Sequence, residues 1–400
     1  MSIYRRPSSA PVARPFRPAL FALAVVLALV AAACGSDSED SDSGSASSDS
    51  ETSDTAAVPS ELASLETAVA DYSAVPTEIV QTEPLTAKPP KKEVAFIVCA
   101  DPSCVPLAGF LEDATTALGW DLITINATAT DPGAAIQQAI DAGVDYIAQT
   151  GSDMAQFQPQ MDEAESQGIP VFSCYATDVP EGPGNNLYAD CYDSSAAADY
   201  AEALAAWMIV DSNAGANVVA VTLPAFPILG AQVDAAEAAL AESCESCEFG
   251  VLDQTITDLT SGGTPNAIVS YLQANPDVNY VYLTYNGLGT GVVQAIEAAG
   301  LSDRVKVVGT QAKQPQLQEI IDGTSAMWSA LPQEYSMWTL ADQMARLSVD
   351  EWSAADERTS AIPPFYLITT AAAAEEIIDF ENGWPGPDGF QDAFQELWGV

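Results

Sequence analysis

Three observations predict an α/β protein of two Rossmann-like, doubly wound lobes with parallel central sheets. From Glu93 onward, short apolar runs alternate with helix-like stretches of small and apolar residues, the pattern of βαβ units. The alternation comes in two series, divided by a long Ala-rich segment from Ser194 to Ile209. The part that shows it spans about 310 residues, a comfortable length for two domains.

The N-terminus precedes this pattern. Arg5, Arg6, Arg14 and Arg17 make a positive start without an acid, and the apolar run Ala19 to Ala33 follows. That run has the length of a signal h-region and falls short of the ~20 apolar residues of a membrane-spanning helix. Pro7-Ser8-Ser9 does not continue a twin-arginine motif after Arg5-Arg6. Ala31-Ala32-Ala33-Cys34 resembles the lipobox of bacterial lipoproteins, although Ala31 stands where Leu is usual. The resemblance implies a signal peptide over 1–33, cleavage before Cys34 and lipidation of that cysteine. An uncleaved anchor, or an ordinary signal cut after the alanines, is the alternative. Residues 34–58 are mostly Ser, Asp, Glu, Gly and Ala, a composition that buries too little apolar surface to fold. They are expected to be a disordered acidic linker that lifts the folded part off the membrane.

A short helix near Ser60 to Tyr72 and a Pro-containing connector to Lys92 are expected next, as a segment 59–92. The first series has strands at Glu93–Cys99, Asp121–Asn126, Tyr146–Thr150, Pro170–Cys174 and Leu187–Asp190. Helices are expected at Leu107–Leu118, Gly133–Ala142 and Met154–Gln167, with Gly119, Gly143 and Gly168 as C-caps. The second series has strands at Asn217–Leu223, Phe249–Thr255, Tyr280–Tyr285 and Val305–Gly309.

Composition excludes several functions. The net charge is −44, and without the four N-terminal arginines 8 basic residues face 56 acidic ones, a net −48. Such a surface repels nucleic acid. The chain has no histidine, so many catalytic and metal-binding arrangements lose their usual residue. Setting Cys34 aside leaves six cysteines in an exported chain, where disulfides persist. Their spacing suggests Cys99 with Cys104, Cys174 with Cys191, and Cys244 with Cys247, among 15 connectivities. Cys244-Glu245-Ser246-Cys247 could also be a redox CxxC or half a zinc site. The flanking acids Glu242 and Glu248 and the lack of a second CxxC favour a structural clip.

The order of these pieces resembles the type 1 periplasmic binding proteins, the ribose-binding-like group that serves bacterial ABC importers. It is carried by Gly168-Ile169-Pro170-Val171-Phe172, Asn275-Pro276-Asp277-Val278, Tyr285-Asn286, the expected helix Gly287 to Gly300, and Val307-Val308-Gly309. It covers roughly Glu93 to Thr370. It implies two lobes joined by a three-crossover hinge, with crossovers near Asp190–Asp193, Ala330–Gln333 and Ser360–Pro363. An N-terminal lobe of 93–190 plus 331–360 and a C-terminal lobe of 191–330 plus 361–370 follow, with 371–400 as a C-terminal extension. The helix Tyr335 to Leu347 returns to the first lobe, and Phe365 to Thr370 completes the second sheet. Aromatics at helical spacing from Phe390 to Trp398 are expected to dock on the protein's own surface, a permease contact being the sharper reading.

Ligands of such folds sit at the carboxyl ends of the strands, between the lobes. Candidate contacts from the first lobe and its crossover are Asp101, Ser152, Asp153, Tyr175, Asp190 and Tyr192. The other side supplies Phe226, Tyr285, Asn286, Gln311, Lys313, Trp328 and Gln333. Carboxylates and amides pair with neighbouring hydroxyls, and an aromatic face packs on a sugar ring. Trp328 and Tyr192 could equally fill the hinge, and Asp190 could serve as a cap. Asn286 and Gln311 stand where sugar binders of the family usually carry Asp. The arginine usual after the Pro224 to Leu229 loop is missing, with Gln232 nearby.

So few cations suit a neutral ligand better than a carboxylate or phosphate. A sugar or polyol comes first, and an aromatic, amphipathic or cationic molecule second. The resemblance implies a monomeric receptor that is not an enzyme, needs no cofactor or metal, and delivers its ligand to an ABC permease. A receptor of the same fold serving a membrane signalling protein is the alternative. A hydrolase lacks its constellation, since the chain has no histidine and no GxSxG. A lac-repressor-type regulator would need a DNA-binding domain where the signal and linker stand.

Overall fold

A computed structural model describes residues 60–128, 131–354 and 362–400. Cys34, the signal, the linker to residue 59 and the first half of the third expected crossover lie outside the described residues.

The chain enters with α1 (Ser60–Tyr72), then an extended connector. The first lobe runs β1 (Glu93–Val98), α2 (Val105–Leu118), β2 (Asp121–Asn126), α3 (Gly133–Ala142), β3 (Tyr146–Thr150), α4 (Gln158–Gln167), β4 (Val171–Cys174) and β5 (Leu187–Asp190). The second begins with α5 (Ser194–Asp211) and continues β6 (Asn217–Thr222), α6 (Pro227–Ser243), β7 (Glu248–Asp253), α7 (Ile256–Thr260), α8 (Thr264–Ala274), β8 (Tyr280–Leu283), α9 (Val292–Ala298), β9 (Lys306–Gly309), α10 (Gln314–Ile321) and β10 (Met327–Ala330). Then α11 (Gln333–Ser348) packs on α2 and β4 of the first lobe, and β11 (Tyr366–Ile368), α12 (Ala371–Glu375) and α13 (Phe390–Trp398) complete the chain.

The first sheet has the order β2-β1-β3-β4-β5, all parallel. The second reads β7-β6-β8-β9-β10-β11, parallel except for the edge strand β11. Both therefore use one winding, in which strand order reverses beside the first strand of the lobe. Burial follows position. The edge strands β2 and β7 alternate exposed and half-buried residues, whereas β3, β4 and β8 are buried throughout, as covering helices on both faces require. Gly119, Gly143 and Gly168 end α2, α3 and α4 at φ of 73°, 72° and 70°, a backbone that costs other residues energy.

Two strand-level differences from the sequence reading stand out. β10 was not among the expected strands, and the helix expected over 287–300 is a 3-10 turn at Asn286–Gly289 followed by α9. The three cysteine pairs suggested by spacing are disulfides: Cys99–Cys104, Cys174–Cys191 and Cys244–Cys247. The aromatic face of α13 packs on the protein itself, with Phe390, Phe394 and Trp398 buried against Tyr335 and Trp338 of α11.

Candidate binding site

In a doubly wound sheet the loops that diverge at the reversal of strand order leave a crevice beyond the strand ends. Here the reversals fall between β1 and β3 and between β6 and β8. The loops after those four strands face each other across the lobes, and the cavity lies among them. About 540 Å³ of space lies between its walls, the open mouth included.

Asp101 follows β1 and caps the short turn Pro102–Cys104, accepting from the Ser103 N–H at 2.8 Å. Its other carboxylate oxygen accepts from Tyr285 Oη of the second lobe at 3.3 Å. Gly151, after β3, packs against the Phe226 ring from the loop after β6. The two lobes thus touch across the crevice. Tyr175 and Tyr192 lie in the first-lobe wall and at the crossover, ring centroids 5.3 Å apart. Gln232 of α6 lies behind, donating to Tyr192 Oη at 3.4 Å and accepting from Tyr282 Oη at 3.1 Å.

Seven expected residues line the cavity: Asp101, Tyr175, Tyr192, Phe226, Tyr285, Gln311 and Gln333. Six others do not, each for a visible reason. Asp190 is buried and accepts backbone N–H groups of Ala176 and Tyr192, both at 3.2 Å. It fastens the hinge, and burial holds its carboxyl well above the usual range. Asp153 ties the loop after β3 to the loop after β4 through Thr177, and Ser152 closes a turn with Gln149. Asn286 donates to the Gln311 carbonyl at 2.8 Å, supporting the wall from behind. Trp328 fills the space left by two glycines, since a Cβ on Gly309 would collide with its ring and one on Gly289 would crowd it. Lys313 precedes α10 half-buried, its pKa lowered by burial against the attraction of Asp101 and Glu381.

The sequence reading missed Thr150 at the end of β3 and Gly151 after it, Ser103 in the turn before α2, Leu107 in the first turn of α2, and Ile228, Leu229 and Gln232 on α6 as contacts. Two disulfide sulfurs, those of Cys99 and Cys104, also belong to residues of the wall. A usable signal existed: the first turns of helices that follow the two reversal strands must face the crevice.

Two features of the wall point to a ligand. Thr150 Oγ1 and Gln333 Oε1 are buried without a hydrogen-bond partner, a condition native interiors avoid. Tyr175 and Gln311 carry φ of 63° and 66°, strained for residues other than glycine, and such strain collects at functional sites. No lysine or arginine is among the lining residues. Among the described residues no group of His, Cys, Asp and Glu is placed to hold a metal ion, and no helix is long and apolar enough to cross a membrane.

A family profile described as a periplasmic binding protein domain matches residues 99–350. Among solved structures, the 5-methylthioribose transporter solute-binding protein of Thermotoga lettingae, in complex with 5-methylthioribose, is 17% identical. The match covers 79% of this chain and 99% of that one at a TM-score of 0.62. An ABC transporter solute-binding protein of Agrobacterium vitis with bound allitol shares 15% identity over 72% of this chain and 98% of that one, at 0.60. A carbohydrate transporter of Acidothermus cellulolyticus in complex with myo-inositol shares 16% over 73% and 99%, also at 0.60. At such identities the likeness is one of fold. No curated protein matches the chain.

Proposed function

We propose a function from one premise, that the chain belongs to the periplasmic binding protein family: it is an exported, lipid-anchored solute receptor. It closes its two lobes on a small neutral ligand, a sugar or polyol first, and hands it to the permease of an ABC transporter. No bond is made or broken. The observation that carries this reading is the cavity wall, with its three tyrosines and Phe226 for the apolar face of a ring. Asp101, Thr150, Gln311 and Gln333 meet hydroxyls, and no lysine or arginine is among the lining residues to hold an anion. The bound sugars and polyols of the three neighbours support the same ligand class. Anchoring at Cys34, ahead of the acidic segment, keeps a monomeric receptor concentrated beside its permease.

A second reading has its own support. Leu107, Ile228 and Leu229 and the Cys99–Cys104 disulfide give the wall an apolar side, which suits a ligand with an apolar substituent. A thermal-shift panel on the full chain separates the readings. A ligand at a hundred times its Kd stabilises the folded form by about 2.7 kcal/mol, and this should raise Tm by several degrees. Sugars or polyols are expected to do so. The proposal fails if these all leave Tm unchanged while anionic solutes raise it; a response to aromatic or amphipathic compounds alone establishes the second reading.

A further inference from the structure

The segment beyond the family match builds a second cavity beside the first. Leaving α12, it lies on the second lobe, where Gly383 at φ 80° sits against the Ala312 carbonyl and Trp384 meets Tyr366 edge to face at 5.2 Å. It then crosses to the first lobe, where Gly386 lies against Tyr335 and α13 packs on α11 and α2. Along the crossing, residues 380–385 wall a cavity of about 350 Å³, mouth included. Phe110 of α2 and Gln333 and Glu334 of α11 form its other side.

Gln333 stands between the two spaces. It lines both cavities, is 5% exposed, and its Oε1 has no hydrogen-bond partner. The lining has three aromatic residues, Phe110, Phe380 and Trp384, with Phe380 45% exposed, where a flat apolar face would pack. Its carboxylates are already engaged: Glu334 accepts from Gln391 Nε2 at 2.8 Å, and Glu381 attracts Lys313. With aromatic faces, amide and carboxylate acceptors and no lining cation, the space suits a neutral hydroxylated group.

We propose that this second cavity is a subsite for the outer ring of a two-unit ligand such as a disaccharide, the inner ring occupying the main cavity. The C-terminal extension thereby sets ligand length. The inference rests on the sugar reading above. Isothermal titration of the full chain would compare glucose, galactose, xylose and myo-inositol with maltose, cellobiose, lactose, xylobiose and galactinol. At least one two-ring probe is expected to bind ten-fold or more tighter than its one-ring parent. Phe380→Ala and Glu381→Ala, both at exposed positions, should remove that advantage and leave the parent's affinity within two-fold. The subsite is overturned, with the sugar reading intact, if one-ring probes bind and no two-ring probe gains, or if the variants leave the gain in place or weaken both sizes equally. If no probe of either size binds, both readings fall.

Discussion

Gln311 and Tyr175 accept left-handed backbone that glycine would adopt without strain, and each stands at the strand-end wall of the cavity. Holding a non-glycine residue there costs of order 1 kcal/mol, which the wall's geometry must impose. Gln311→Gly should therefore leave stability within about 1 kcal/mol of wild type, relief of strain offsetting the more flexible unfolded chain. It should weaken ligand binding about ten-fold, as read by paired melts and titrations; the loss of one hydrogen-bonding side chain is worth roughly that. A large stability loss with unchanged affinity would make Gln311 structural. Asp190 marks the other kind of residue. Burial raises its folded pKa above the usual carboxylate range, as it does for Asp178 and Asp342. A carboxyl raised in this way binds its proton more tightly when folded. Its stabilisation is full below the unfolded value and fades as pH climbs toward the folded one. The lowered groups Asp258 and Glu351 are solvent-exposed and weigh little. Asp199 is likewise pushed up by burial to about 6, so the ligand-free Tm should fall as pH rises through about 6, a trend that scanning calorimetry checks and that a rise would contradict. Residue type placed Asp190 near the hinge, and nothing in the sequence said that backbone N–H groups take both its oxygens. Trp328 was equally opaque, because its seat depends on Gly289 and Gly309, far apart in sequence and adjacent in the fold.

Among elements, the strands with runs of Val, Ile and Ala were legible because burial on both faces demands such runs. β10 escaped because Met327-Trp328-Ser329-Ala330 is short and lacks a β-branched residue; only its place between β9 and β11 makes it a strand. The terminal segments show what pattern reading alone leaves open. α1 packs on α5 of the second lobe, and the connector after it is fastened to the first. Gln81 is buried against Tyr335 and Thr339, Arg346 holds the Glu83 carbonyl at 2.8 Å, and the Leu85 N–H reaches the Leu397 carbonyl at 2.8 Å. α13 closes this region. Trp398 stacks on Trp338 at 5.5 Å with planes 6° apart and donates to the buried Asp342 at 2.8 Å. Trp398→Ala should lower unfolding free energy by about 3–5 kcal/mol, through the cavity it opens and the donor Asp342 loses. Denaturant unfolding would measure it, and a loss under 1 kcal/mol would mean that the tail is only loosely docked.

For the whole molecule, the repeated winding of the two sheets, their facing reversal points and the touching of Tyr285 with Asp101 describe two lobes in contact across a crevice. A row of rings runs from the cavity along the hinge: Tyr175, Tyr192, Tyr200, then Phe365 and Tyr72, with successive centroids 5.3, 5.3, 4.0 and 5.8 Å apart. The N-terminal connector and the C-terminal extension join both lobes as well, so closure must bend five connections, a hinge motion in which a few loop residues absorb the change. Ligand-free protein is expected to populate a more open form, because contacts across the crevice such as Asp101 with Tyr285 and Gly151 with Phe226 are small beside those a ligand would make with both lobes. The central claim is that a neutral sugar or polyol closes the lobes. Small-angle X-ray scattering of the protein, alone and saturated with the tightest-binding member of the sugar and polyol panel, tests it most directly. The account expects the radius of gyration to fall on saturation; a sugar that binds without changing it, or a panel from which none binds, would contradict the account.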